Sequence, residues 1–200
     1  MTPTTIKFEG GGIINMSPHR ICRYAAMPEN GDDVTQQQSV KEIFGAHSDT
    51  SFMTIVPVAA VSGLEVYDED SEKWYRPELR ARQMWEQEQL DRGLDHSAQF
   101  ETVVDDDGVE KQLPWYARYV VAMPGELMQV VTRDEVQASI HRVVSANGGR
   151  TRHSSPVLLR CRNGLEMDAG KYLGNMEAAG PIINECNGMK MEDIYSALQK

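Results

Sequence analysis

Two imidazoles and one carboxylate, His47, Asp49 and His141, stand in a His-x-Asp…His order. Such a set can grip one face of a ferrous ion and leave the opposite coordination positions open for oxygen chemistry. In an extended strand alternate side chains share a face, so His47 and Asp49 point one way and Ser48 the other. His141 lies within Val136 to Val144, where a strand turns it to the same side as Ser139 and Val143. The His-x-Asp pair alone is a weak motif, and a surface turn with an incidental hydrogen bond is its simpler reading until other residues fall into register. A second group, Arg152-His153-Ser154, follows His141 by eleven residues. Alternation there puts guanidinium and hydroxyl on one face, a good receptor for a carboxylate, with His153 turned away. An arginine in a barrel wall needs a partner, and a bound dicarboxylate is one way to satisfy it.

These residues need a scaffold of short strands. Ile21 to Tyr24 reads as a strand closed by the turn Pro28 to Gly31. Phe52 to Val58 is β-branched and apolar, and Gly63 to Tyr67 alternates before an acidic turn, Asp68 to Glu72, after which Trp74 to Arg76 pairs back as a hairpin. Arg118 to Ala122, Glu126 to Val131, Val136 to Val144 and Pro156 to Arg162 complete a series of strands bounded by Pro, Gly, Asn or charge, the spacing of a barrel or jelly roll. Pro77 to Arg92 breaks the series, with Pro at the first helical position, a Gly93 stop, and Leu79, Trp85 and Leu90 as sparse apolar contacts. Phe100 to Val104 and Val109 to Leu113 flank Asp105-Asp106-Asp107-Gly108 as a second hairpin with a solvated acidic turn. From Glu78 to Leu113 ten acidic and four basic side chains supply -6 of the net charge of -10, so this segment reads as a polar insertion, expected to form a lid or rim over the metal. Met191 to Leu198, with Ile194 and Leu198 at i, i+4, predicts a short C-terminal helix that covers the barrel.

Composition bounds the function. The 200 residues, 40% of them apolar, suit a single globular domain. A net charge of -10 argues against nucleic acid or an anionic membrane as partner, leaving a small molecule or another protein. Met1 to Gly10 lacks signal-peptide character and no run approaches the roughly twenty apolar residues of a membrane span, so the expected address is cytoplasmic. Cys22, Cys161 and Cys186, odd in number and far apart, suggest reduced thiols rather than a disulfide framework or a zinc site. His19, His96 and His153 lack ligand-like spacing, and Trp74 and Trp85 are expected to pack rather than line a pocket.

Phe44-Gly45-Ala46-His47-Ser48-Asp49, Gly63-Leu64-Glu65-Val66 with Trp74, Pro124-Gly125-Glu126-Leu127, His141-Arg142-Val143 and Arg152-His153-Ser154, in that order, resemble the isopenicillin N synthase-like family of iron(II)- and 2-oxoglutarate-dependent dioxygenases. The resemblance runs from about Ile21 to Arg162. It implies a mainly β fold, a double-stranded β-helix (jelly-roll barrel) with a helical insertion and a short C-terminal helix, in a single domain over 1–200. The barrel core would occupy about 20–162, the insertion about 78–113 and a C-terminal extension 163–200, with the N-terminal region of the family abbreviated or missing. It further implies His47, Asp49 and His141 as catalytic iron ligands, and Arg152 and Ser154 as the site for the distal carboxylate of 2-oxoglutarate, with Tyr24 contacting the same cosubstrate. Tyr24 is followed by Ala25 where the family usually has Pro, and Cys22 stands where many members have Asn. The implied activity uses Fe(II), 2-oxoglutarate and O2, with ascorbate as reductant, to hydroxylate a small organic substrate with release of succinate and CO2. Two alternatives stay open: a same-fold iron oxidase that does not use 2-oxoglutarate, and a non-catalytic binding or regulatory protein on the barrel scaffold.

Overall fold

The computed structural model of the protein describes residues 6–7, 13–14, 17–25, 41–145, 150–161, 164–168, 170–171 and 181–198. The expected turn Pro28 to Gly31 lies outside them. The strands are β1 (Ile6–Lys7), β2 (Ile13–Ile14), β3 (Cys22–Tyr24), β4 (Glu42–His47), β5 (Met53–Pro57), β6 (Leu64–Asp68), β7 (Lys73–Tyr75), β8 (Phe100–Val104), β9 (Glu110–Pro114), β10 (Val120–Pro124), β11 (His141–Val144), β12 (Arg152–Ser154) and β13 (Val157–Leu159). The helices are α1 (Pro77–Asp91), α2 (Glu126–Val131), α3 (Pro181–Cys186) and α4 (Met191–Leu198), with a 3-10 turn at Trp115–Arg118.

One sheet has the order β10-β5-β13 and another β4-β11-β6-β7, all antiparallel. They face each other across Val56 and Met123 of the first and Leu64 and Val66 of the second, which form one buried cluster. Alternation produces this: every second residue of β5 turns inward, so Thr54 and Val56 are buried while Met53, Ile55 and Pro57 are less so. β3 pairs with β12, placing Arg152 opposite Tyr24 and Ser154 opposite Cys22. Among the described residues the β8–β9 hairpin pairs only with itself, and Gly108 at φ +79° makes the turn after three aspartates.

Helix α1 begins on Pro77 and ends before Gly93, whose φ of +68° admits the left-handed residue that stops a helix. Of the three expected apolar contacts only Trp85 is buried; Leu79 and Leu90 are about half exposed, and Glu78, Ala81 and Gln89 take the inner face instead. Trp85 packs with Val58, Ala81 and Trp115, and its indole N–H donates to the Ala98 carbonyl at 3.0 Å. A second correction concerns Glu126 to Val131, a helix rather than a strand. Six residues are too few for periodicity to separate the two, and tertiary hydrogen bonds decide. The N–H groups of Gly125, Glu126 and Leu127, which a helix start leaves unpaired, donate to the carbonyls of Phe52, Asp49 and Ser51. Val136 to Ile140 also lies outside the strand, which begins only at His141. Leu127 packs with Met167, Met191, Ile194 and Tyr195, so the C-terminal helix covers this end of the molecule as its pattern predicts.

Candidate metal centre and carboxylate anchor

His47 closes β4 and His141 opens β11, and the two are direct partners across the antiparallel pair. Asp49 lies beyond the end of β4, so its placement comes from a loop rather than from strand alternation. Each of the three offers a ligand atom, and these atoms lie within 4.8 Å of one another. The Nε2 atoms of His47 and His141 are 3.8 and 3.7 Å from the Asp49 carboxylate oxygens.

The surroundings prepare these groups to ligate. His47 Nδ1 lies 2.8 Å from the Gly45 carbonyl and His141 Nδ1 3.1 Å from that of Ser139. A carbonyl accepts only, so each Nδ1 carries the proton and each Nε2 presents its lone pair to the centre. Burial pushes the His141 pKa down, against the opposing effects of the Ser139 hydrogen bond and the Asp49 charge, which favours the neutral, ligating form. The buried Thr54 hydroxyl donates to Asp49 Oδ2 at 2.6 Å and sits 3.0 Å from the Ser51 hydroxyl. Ser48 points away from the triad and donates to Glu126 Oε1 at 2.6 Å. Side-chain exposure falls from 33% at His47 through 17% at Asp49 to 8% at His141, so the centre opens on the His47 side. Two imidazoles and a carboxylate on one face fit a divalent iron ion.

Arg152 and Ser154 are buried while His153 between them is exposed. The Arg152 guanidinium lies over the Tyr24 ring, 5.3 Å from its centroid. Burial raises the Tyr24 pKa, helped by Cys22 and opposed by the Arg152 charge, so the phenol stays protonated. Arg152 Nη2 donates to Glu78 Oε1 at 2.7 Å, whereas Nε and Nη1 are buried without a hydrogen-bond partner among the described residues. Buried donors without a partner carry a desolvation cost that a bound carboxylate would relieve.

No family model and no curated protein matches the chain. Solved structures do match. A protein from Caulobacter crescentus described as a 2OG-Fe(II) oxygenase family member gives a TM-score of 0.52 at 19% identity, over 93% of this chain and 46% of that one. A full-length Neurospora crassa protein, solved in complex with alpha-KG and 5-formyluracil, gives 0.53 at 14% identity over 90% and 45% of the two chains. The same Neurospora protein with alpha-KG alone gives 0.50 at 15%, over 90% and 43%. The fold is that of the 2OG-Fe(II) oxygenases. The chain spans less than half the length of these structures.

On this oxygenase fold the predicted residues fall into two groups: His47, Asp49 and His141 converge, and Tyr24, Arg152 and Ser154 share the β3–β12 pair. Among the other histidines, His19 has its Nε2 2.6 Å from the Ser155 hydroxyl, and His96 is exposed. Trp85 is fully buried and Trp74 lies under the Arg142 guanidinium at 4.0 Å, so both pack as expected. Within the described residues, no helix is long and apolar enough to cross a membrane. Sequence reasoning missed Thr54 and Glu78. Thr54 sits among β-branched strand residues with nothing local to mark it, and Glu78 after Pro77 looks like an ordinary acidic first-turn residue.

Proposed function

We propose that this chain is a non-haem iron(II)- and 2-oxoglutarate-dependent dioxygenase that hydroxylates a small organic substrate in the cytosol, releasing succinate and CO2. The observation that carries the reading is the convergence of His47 Nε2, Asp49 and His141 Nε2 with both imidazole Nδ1 atoms tied to backbone carbonyls. Iron(II) held there supplies activation of dioxygen, coupled to oxidative decarboxylation of the cosubstrate. His47 and His141 give it neutral donors, and Asp49, steadied by Thr54, gives the anionic one. Arg152 and Ser154 bind the distal carboxylate of 2-oxoglutarate, with Tyr24 beside them holding a phenolic proton available as donor. The likeness to the Neurospora crassa protein solved with alpha-KG supports the fold on which this arrangement rests. We take the barrel core, the insertion and the C-terminal extension as parts of one jelly-roll domain.

One observation favours a second reading, an iron oxidase of the same fold that does not use 2-oxoglutarate: Arg152 already has a carboxylate partner in Glu78. Cosubstrate dependence separates the two. Purified protein given Fe(II), ascorbate and 2-oxoglutarate forms succinate when a correct substrate is present, and the combined change His47→Ala, Asp49→Ala abolishes iron binding in a folded sample. Iron binding that survives the double change, or turnover independent of 2-oxoglutarate, refutes the corresponding part.

A further inference from the structure

Helix α1 enters the molecule through its first turn, and Glu78 is the residue that goes deepest. It is 2% exposed, as is Arg152, and the two face each other across 74 positions of sequence. Glu78 Oε2 accepts from the backbone N–H groups of Gly63 and Leu64 at 2.6 and 3.0 Å, and Oε1 accepts from Arg152 Nη2 at 2.7 Å. The carboxylate is therefore clamped at one oxygen by β6 and its preceding loop, and presents the other as a fixed point for the guanidinium. The clamp has a tight lining: a Cβ on Gly63 would come within 2.8 Å of Arg152 Cδ and 3.0 Å of the Val144 carbonyl oxygen. Only glycine there leaves room for the arginine stem.

We infer that Glu78 is the positioning residue of the Arg152 carboxylate anchor. Glu78 fixes the guanidinium by Nη2 alone, and three of the five N–H groups of the fork, on Nε and Nη1, stay buried and without partner among the described residues. A buried arginine with no counter-ion would be strongly unfavourable before any ligand arrives. The permanent partner removes that penalty while leaving donors for an incoming carboxylate. The partner comes from the polar segment that follows β7, so the specificity of the site for a 2-oxo acid with a second carboxylate depends on residues outside the strand pair that carries Arg152 and Ser154.

This rests on the assignment of Arg152 to the cosubstrate, and the test separates the two. Binding of 2-oxoglutarate and of 2-oxobutanoate, which has the same 2-oxo acid head but no distal carboxylate, is measured by anaerobic calorimetry on the Mn(II)-loaded protein, with a thermal melt of each variant. In Glu78→Gln the single amide oxygen is taken by the Gly63 and Leu64 N–H groups, and the amide NH2 then faces the guanidinium, donor against donor. Binding of 2-oxoglutarate weakens about tenfold or more, because the displaced guanidinium loses one charge-assisted hydrogen bond to the distal carboxylate, while 2-oxobutanoate binding is unchanged. Should Glu78→Gln not fold, Glu78→Asp decides, because it keeps the charge but shortens the reach from the Gly63 and Leu64 N–H groups to Arg152 Nη2, and the same selective loss is expected. Unchanged 2-oxoglutarate affinity, or equal weakening of both acids, overturns the positioning role. If Arg152→Met leaves 2-oxoglutarate binding intact, the cosubstrate assignment itself fails, whatever Glu78 does.

Discussion

His47 and His141 occupy one rung of the β4–β11 ladder, with ring centroids 4.3 Å apart and planes inclined at 48°. A one-residue slip of either strand would turn one imidazole to the other face and dismantle the centre. The pairing of β11 with β6 fixes the register from the opposite side, setting His141 against Val66 and Val143 against Leu64 inside the core. Irregular spacing follows at once: Val143 partners Phe44, so the ladder gains a bulge just past the two histidines.

Thr54→Val keeps side-chain size but deletes the donor to Asp49 Oδ2. Partners that orient metal ligands in this way are typically worth about 10- to 100-fold in metal affinity. Titration of the variant with Mn(II), followed by electron paramagnetic resonance, is expected to show weakening of that order; an unchanged dissociation constant would mean that Asp49 is held by other means.

Gly125→Ala strikes the same loop from the other side. A Cβ there would overlap the Ser51 carbonyl oxygen and lie 2.7 Å from the Asp49 carbonyl oxygen, both of which accept hydrogen bonds from the start of α2. Overpacking of this kind costs about 1–3 kcal/mol. We expect a lower denaturation midpoint together with weaker metal binding, and destabilisation without any effect on the metal would separate α2 from the centre.

Trp85→Ala is the contrasting case. The side chain is fully buried against Val58, Ala81 and Trp115, so its loss should cost about 3–5 kcal/mol. Metal affinity of the fraction that remains folded should hold, because the Trp85 cluster contains neither the three ligands nor Thr54. Urea denaturation with and without metal checks both halves.

Tyr195 predicts an alkaline limit on stability. Burial raises its pKa from 10.0 to about 12 while its hydroxyl oxygen accepts the Cys161 N–H at 2.6 Å. The raised native value means that the unfolded chain releases this proton first, near pH 10. The contribution is complete below that pH and falls as pH rises toward 12. Tyr195→Phe should flatten the loss of stability between pH 10 and 12 and lower stability at neutral pH by about 1 kcal/mol, the worth of one hydrogen bond. A wild-type-like alkaline slope in the variant would reassign the effect.

The strands around the centre were legible because their signals are local. β5, β6, the β6–β7 hairpin and the acidic β8–β9 hairpin follow from alternation and turn residues, and α1 from its proline start and glycine stop. The triad was legible from residue types and order, and so was the inward and outward alternation of Arg152, His153 and Ser154. What was hidden depends on distant partners. Asp49 reaches its place through a loop held by α2 and Thr54, α2 is a helix because three loop carbonyls receive its N–H groups, and Glu78 is defined by an arginine 74 residues away. Thr54 is only five residues from Asp49, but their contact depends on the loop between them, and no short window contains both Asp49 and α2 or both Glu78 and Arg152.

The rung shared by His47 and His141 joins positions 94 residues apart. Closing so long a loop carries an entropic cost that local hairpins avoid, which makes this a late contact in folding. The complete three-ligand set thus requires the folded chain, since an unfolded one offers only the local His47–Asp49 pair with His141 far away. An ion that binds only the native state draws population toward it, by about 2.7 kcal/mol when its concentration is a hundred times the dissociation constant. An ion held by His47, Asp49 and His141 would therefore act as a clasp on the native fold, drawing together strands that the chain places far apart.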